Sequence, residues 1–506
     1  MLARLTTFAI DGVDPRQVWV EVDIRPGLPA FTIVGLADAA VRESRDRIRS
    51  AIFNSGFEFP QTRITANLAP AFLRKVGPGF DAAIALALLA ASRQLPPEAL
   101  AAYAVFGELS LGGELRDSPG ALAVAEGARR SGLARLIVPR ERAREAAIVD
   151  GLQIAGVSSL RAAADVITGG ELPPLPPAAH EPAPAPPRDP DLSDVRGHAA
   201  ALLALQIAAA GGHNLLMEGP PGTGKTMLAR RLPSILPAMT PAEAIEVTRI
   251  HSVAGVHAGG LHRARPFRAP HHSISPAGLV GGGAPPRPGE ATLANHGVLF
   301  LDELSEFQRA SLEALRQPLE DGSVTIVRGQ HALVFPTRFM LVAATNPCPC
   351  GFAGVGDRCR CGEADLRRHQ RRLSGPLLDR MDLLVNVARP TEDELRGPPA
   401  IDSETARERV ARARARALVR LADTAARCNG EMDVRLVRRH VSLEAPAEHA
   451  LARAYAFGTL SARGRLRALR VARTIADLEG RDPVTRDDLL RALSLRQRGD
   501  AEAAVA

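Results

Sequence analysis

Short apolar runs recur along this 506-residue chain, and several end on polar side chains. Val18–Ile24, Phe31–Val34 and Arg63–Leu68 read as strands, with a helix over Ala39–Ser55 between the last two. Phe80–Ala91 is apolar on every face, which predicts a buried helix, and Ala104–Leu111 reads as the strand after it. These elements make residues 1–170 an α/β domain. Leu172–Pro190 breaks the pattern with nine prolines, a composition that favours polyproline II and cannot build a core, so residues 171–190 read as a stiff spacer. A second α/β pattern fills residues 191–390. Ala199–Ala210 is a helix, Asn214–Met217 a buried strand and Met227–Leu232 another helix. Val298–Leu301, Phe339–Thr345 and Leu383–Val387 are further buried strands. Residues 391–506 read as a helical lid. Within it Arg409, Arg412, Arg416 and Arg420 recur at helical spacing, which predicts a solvated face.

Chemistry gathers at the ends of those strands. After Asn214–Met217 come Gly219, Pro220, Pro221, Gly222, Thr223, Gly224, Lys225 and Thr226, a G-x-x-x-x-G-K-[ST] phosphate loop between strand and helix. Its glycines let backbone N–H groups turn toward phosphates, and the helix N-terminus adds its positive end. Lys225 is one of only two lysines in the chain, with Lys75, among 63 basic residues. It is expected to reach the β- and γ-phosphates of ATP, with the Thr226 hydroxyl on Mg²⁺. Val298–Leu301 delivers Asp302 and Glu303, expected to hold Mg²⁺ and to polarise the attacking water. Phe339–Thr345 delivers Asn346, suited to orient that water. Between these two strands, Gly322–Phe335 reads as a β-hairpin with Arg328 and His331 at its tip.

Two further groupings stand out. Cys348, Cys350, Cys359 and Cys361 are four of the five cysteines, spaced as two C-x-C pairs. In a nucleotide-binding chain this clustering points to structural Zn²⁺ or to free thiols, not to a disulfide framework. Pro266–His296 is a long Gly-, Pro- and His-rich loop, expected to be functional. Its His271–His272 pair has no third ligand at suitable spacing, so it reads as surface chemistry and not as a metal site.

The net charge of +7 permits nucleic-acid binding without demanding it. The N-terminus has no signal-peptide pattern and no apolar run is long enough to span a bilayer, so a cytoplasmic protein without membrane contact is expected.

The stretches RAPHHSISPAGLVGGG, VLFLDELSEF, ATNPCPCG, GPLLDRMDL and RVARTIADLEG resemble the ComM/YifB-type, magnesium-chelatase-like family of AAA+ ATPases. GPGFDAAIALALL and GELSLGGEL resemble the Lon-protease-like fold that precedes the motor in such proteins. Active Lon-type domains carry a serine and a lysine; this chain has Gly79 and Leu122 at those positions, which implies a scaffold without peptidase activity. The resemblance implies a Lon-protease-like α/β domain, an AAA+ core with a parallel sheet and a C-terminal α-helical lid. It implies Arg380 as a finger reaching a neighbouring subunit's nucleotide, and Arg470 as a lid contact from above the nucleotide. The hairpin would enter a ring's pore, where Arg328 and His331 would face the phosphates of branched or single-stranded DNA. A hexameric motor for branch migration in natural transformation or recombination is the function implied. The motor subunit of a metal chelatase and an ATP-dependent protease are the alternatives.

Overall fold

The chain opens with its longest local pairing. Leu2–Asp11 runs antiparallel to Asp14–Arg25, from Leu2 opposite Asp23 to Asp11 opposite Asp14. The turn between them needs a left-handed residue and has Gly12 there, at φ 69°. The computed structural model describes residues 1–496 except 37, 177–189, 257–258, 284–285, 329–330, 373–374 and 458–459. Most of the proline-rich spacer therefore lies outside the described residues.

The N-terminal sheet has seven strands, in the order Ala30–Val34, Arg63–Ala69, Asp14–Arg25, Leu2–Asp11, Tyr103–Val105, Arg135–Pro139 and Gln153–Val157. The Asp81–Ala91 helix crosses it with all eleven residues buried, which is why its sequence carries no polar face. Leu2–Asp11 is a further strand, and one expectation needs correction. The strand expected over Ala104–Leu111 is instead two, Tyr103–Val105 and Glu108–Leu109. The break occurs because the Gly107 backbone turns to bond with the Gly79 turn: Gly107 N donates to Gly79 O at 2.9 Å, and Ala82 N donates to Gly107 O at 3.1 Å. Phe106 then covers Gly79, where an added Cβ would lie 2.5 Å from its ring. Leu122 is fully buried. The space a nucleophilic side chain would need at position 79 is filled.

The second sheet is wholly parallel, in the order Phe267–Arg268, Val298–Leu301, Met340–Thr345, Leu215–Glu218 and Leu383–Asn386. The chain starts on Leu215–Glu218, jumps to the far edge, returns as far as Met340–Thr345, then crosses to the other side. Strand order thus reverses between Leu215–Glu218 and Met340–Thr345, the place where open α/β sheets bind ligands. The loop expected over Pro266–His296 contains short helices at Pro276–Val280 and Glu290–Leu293, and its first residues form the edge strand. The hairpin forms as expected, Ser323–Arg328 with His331–Pro336.

The region beyond residue 391 is helical, as expected, and packs on the second sheet's layer. Ser403–Arg420, Ala462–Leu478 and Arg486–Ser494 share one apolar core with Ala199–Gly211 and the sheet. The arginine face of Ser403–Arg420 is not wholly solvated. Arg409 donates to Gln206 Oε1 at 3.2 Å, and Arg420 forks onto the buried Asp477 at 2.5 and 3.0 Å. Both arginines serve the packing of this helix on its neighbours.

The two α/β domains meet at the hairpin's base. Val13, from the first turn of the chain, is buried with Ile250, Leu293, Val324 and Phe335. Polar contacts flank this cluster: Gly120 N donates to Ser252 Oγ at 3.0 Å, and Arg249 bonds Glu126 at 3.2 Å.

Serine at position 79 should force Phe106 aside. Gly79→Ser is expected to destabilise the protein by about 1–3 kcal/mol through overpacking, measured as a lower denaturant midpoint at unchanged slope.

Candidate nucleotide site

The phosphate loop is shaped by three glycines with separate reasons. Gly219 passes so close to the last strand that a Cβ would lie 2.2 Å from Val387 O. Gly222 and Gly224 are left-handed, at φ 76° and 85°, and Gly224 precedes the helix Lys225–Ile235. Among the described residues other than its chain neighbours, no atom stands within 4 Å of where a Gly222 Cβ would be. Pro220 O accepts from Thr223 Oγ1 at 2.9 Å, which folds the loop on itself.

Lys225 is 8% exposed, and its ammonium donates to Gly219 O at 2.6 Å, Pro220 O at 2.8 Å and Asn346 Oδ1 at 3.2 Å. Burial lowers its pKa, while the charges of Asp302 and Glu303 oppose that shift. Thr226 Oγ1 donates to Asp302 Oδ2 at 2.6 Å. A hydroxyl and a carboxylate held this close are the hard oxygen donors that Mg²⁺ prefers. The loop residues Lys225 and Thr226, with Asp302 and Asn346, thus meet at one point, delivered by three adjacent strands. The residues present fit a Mg²⁺–nucleotide.

Glu303 stands at the rim of this point. It adopts φ 52° and ψ 50°, a left-handed conformation uncommon for a side-chain-bearing residue, and its side chain is 57% exposed. His272 Nδ1 lies 3.6 Å from Glu303 Oε2, and the His272 ring packs on His271 at 4.0 Å between centroids. The histidine pair expected to be surface chemistry therefore includes the partner of Glu303, a contact between residues 31 positions apart that no local spacing reveals.

The two arginines lie elsewhere. Asn214 precedes the Leu215–Glu218 strand, at the sheet edge away from the phosphate loop, and its Nδ2 donates to Arg380 O at 3.1 Å. The Arg380 guanidinium pairs with Glu320. The four-residue strand separates this edge from the loop by about 13 Å. Arg470 belongs to the same edge, beside Asp382. Its charged neighbours are Asp382, Arg467 and Asp433, and Asp382 Oδ2 accepts from Asn214 N at 3.2 Å. Ala462–Leu478, which carries Arg470, packs along Ala199–Gly211, with Thr474 Oγ1 2.8 Å from His213 Nε2.

The four cysteines converge. Sγ of Cys348 is 3.3 Å from that of Cys350 and 3.8 Å from that of Cys359, and all four sulfurs lie within 4.8 Å of one another. Every cysteine is free, including the buried Cys428. Backbone N–H groups of Arg360 and Phe352, then the Cys348 thiol, draw the Cys350 thiol down to about 6. Arg328 and His331 face each other across the hairpin register, but their side chains lie outside the described residues, as do residues 329 and 330. Among the described residues, no helix is long and apolar enough to cross a membrane.

A phosphate loop at the reversal point of a parallel sheet, with acids and an amide on adjacent strand tips and helices sharing its core, defines an AAA+-type nucleotide-binding protein. Within that class the chain belongs to the YifB/ComM family of magnesium-chelatase-like proteins. The family description "Magnesium chelatase, subunit ChlI" matches residues 191–395, its C-terminal counterpart residues 400–496, and "Subunit ChlI of Mg-chelatase" residues 20–142. The chain is 43% identical to YifB of Escherichia coli over 98% of its length and 97% of the relative's. A protein of Mycobacterium tuberculosis is also 43% identical, over 98% of this chain and 99% of the relative. The competence protein ComM of Haemophilus influenzae is 41% identical, over 98% and 97%. Membership implies nucleotide, Mg²⁺ and ATPase activity.

Asp382 anchors the arginine edge. Burial pushes its carboxyl up, yet the His213 ring, with Nδ1 3.5 Å from Oδ2, and the charges of Arg467 and Arg470 outweigh this and hold it below the ordinary range. Such a group stabilises the fold above about pH 4, its unfolded value, and that contribution fades as pH falls through the depressed value. Asp382→Ala strips the partner from these buried cations and is expected to cost about 3–5 kcal/mol. Denaturant melts at pH 7 and pH 3 should show the larger loss at pH 7.

Proposed function

We propose that this protein is an ATP-hydrolysing ring motor acting on DNA, with branch migration in natural transformation or recombination as its task. The observation that carries the reading is the meeting of Lys225, Thr226, Asp302 and Asn346 at the sheet's reversal point. In this reading Lys225 binds the β/γ-phosphates and Thr226 ligates Mg²⁺, with Asp302 beside it. Glu303 polarises the attacking water and Asn346 orients it. The backbone N–H groups of Gly219–Thr226 cradle the phosphates.

The placement of the arginines supports a ring. Arg380 and Arg470 group with Asn214 and Asp382 at the start of the strand whose far end carries the loop, and in this reading they complete a nucleotide site on a neighbouring copy. Six copies is the count the family resemblance suggests. The hairpin, carrying Arg328 and His331, supplies a cationic contact per subunit to a DNA backbone. ComM's name as a competence protein favours this task over a metal chelatase. The crowding of Gly79 by Phe106 argues against peptide cleavage and for a scaffold. We also assign zinc to Cys348, Cys350, Cys359 and Cys361, whose four convergent sulfurs are its preferred donors.

The test is ATP turnover with and without four-way DNA junctions, which should stimulate it several-fold. Absence of stimulation would return the reading to the chelatase alternative. Lys225→Ala should abolish nucleotide binding, whereas Glu303→Gln should keep binding and lose turnover, because an amide cannot accept the water's proton. Equal loss of affinity in both variants would overturn these roles. Arg328→Ala with His331→Ala should keep basal turnover and lose stimulation by DNA.

Shared sites make a mixing prediction. Arg380→Ala should assemble and bind ATP but turn over slowly. Mixed with Lys225→Ala subunits it should regain activity, since some interfaces then pair an intact loop with an intact arginine. No recovery in verified mixed rings counts against a finger acting between subunits.

A further inference from the structure

The segment Cys348–Cys361 lies beside the phosphate loop and not at a remote corner. Gly351, between the second and third cysteines, is left-handed at φ 83°, and a Cβ there would lie 2.7 Å from Pro221 Cδ and 3.9 Å from Asn346 Cγ. Its backbone is therefore wedged between the loop and the amide that bonds Lys225. Asn346 is two residues before Cys348. On the other side, the helix Glu363–Arg372 starts two residues after Cys361, and its buried His369 returns to bond the Asn346 carbonyl, Nε2 to O at 2.9 Å. Chain and hydrogen bond together close a circuit: Asn346, the four cysteines, the helix, and Asn346 again.

What holds the cysteine segment in place is the question this circuit raises. The segment is short of regular structure: it has a 3₁₀ turn at Gly356–Arg358, turn hydrogen bonds from Gly351 N to Cys348 O at 2.9 Å and from Val355 N to Phe352 O at 3.0 Å, and the Arg358 guanidinium stacked on Phe352 at 4.5 Å. Cys348 is buried, whereas its three partners are half-exposed. A zinc ion with four thiolates at about 2.3 Å places the sulfurs about 3.8 Å apart. The separations among Cys348, Cys350 and Cys359, 3.3, 3.8 and 3.7 Å, already lie near that edge length. None is short enough for a disulfide bond. Sulfur donors alone in a tetrahedral set select zinc over the hard cation of the nucleotide site.

We propose that the zinc assigned to these cysteines is a brace for the nucleotide site, fixing Gly351 against Pro221 and Asn346 against Lys225. ATP affinity then depends on a metal that never touches the nucleotide. This rests on the zinc assignment made above, and the two can fail separately. Zinc clamps the two ends of the segment, Gly351 is held at a fixed depth, and the phosphate loop keeps the shape its ligand needs. Metal loss frees the segment, and both Pro221 and Asn346 lose their backing.

The experiment begins with metal and thiol content in protein purified without chelators, where about one zinc per chain is expected. Reduced thiols without zinc, or iron in its place, overturn the zinc assignment and the brace with it. Zinc is then withdrawn with a chelator that leaves Mg²⁺ free, and binding of a fluorescent ATP analogue is measured before, after, and on zinc re-addition. The expected result is at least a tenfold weakening that re-addition reverses, with far-UV circular dichroism unchanged. Unchanged affinity in folded, zinc-free protein overturns the brace and leaves the zinc assignment standing. If the stripped protein unfolds, Gly351→Ala decides. It retains all four ligands and should retain zinc, yet drives a methyl group into Pro221, so ATP affinity should fall several-fold. Parental affinity in the zinc-loaded variant would overturn the brace.

Discussion

The nucleotide site depends on the parallel pairing of Leu215–Glu218 with Met340–Thr345, in which Leu215 faces Val342 and Glu218 faces Thr345. That register brings the start of the phosphate loop level with Asn346, so Lys225 can span the gap at 3.2 Å. A slip of one residue would turn every side chain of the strand to the other face and carry Asn346 off the lysine. Both strands are buried on both sides, so the pairing is held by packing as well as by the ladder. The neighbouring pairing of Val298–Leu301 with Met340–Ala343 positions Asp302 for Thr226 in the same way.

From this centre the molecule extends in opposite directions. Toward the strand tips lie the loop, the two acids, the histidine pair and the cysteine segment. Toward the strand starts lie Asn214, Arg380, Asp382, Arg467 and Arg470, joined by hydrogen bonds from Asn214 and by the charge of Asp382. A chain polarised this way carries a socket on one side and arginines on the other. In the proposed motor that surface is completed by a copy of itself, a heterologous arrangement that closes into a ring when the rotation allows.

The N-terminal domain joins that design through Val13. Its first turn packs under the hairpin strands, against Val324 and Phe335, in a cluster that also contains Ile250 and Leu293. The hairpin leads directly through Thr337 and Arg338 into the strand that ends at Asn346. Packing at the domain boundary and geometry at the nucleotide site are therefore neighbours along one stretch of chain, although they lie in different layers of the fold.

Residues 219–226 declared themselves in sequence because a phosphate loop is built from consecutive residues, and its glycines and lysine must occur at fixed spacing. The buried strands were legible for a similar reason: parallel strands covered on both faces are apolar along their whole length, and Asp302 and Asn346 follow such runs directly. The Leu2–Asp11 strand and the break at Phe106–Gly107 were not, since each is set by a partner distant in sequence, Asp14–Arg25 in one case and Gly79 in the other. Spacing placed four cysteines within fourteen residues, but only folding set Gly351 against Pro221. Likewise Arg470 was visible as an arginine on a helix, while the edge it occupies was decided by the core that helix shares with Ala199–Gly211. Local chemistry is written in local spacing; which surfaces meet is settled by burial of apolar faces that a linear pattern cannot pair.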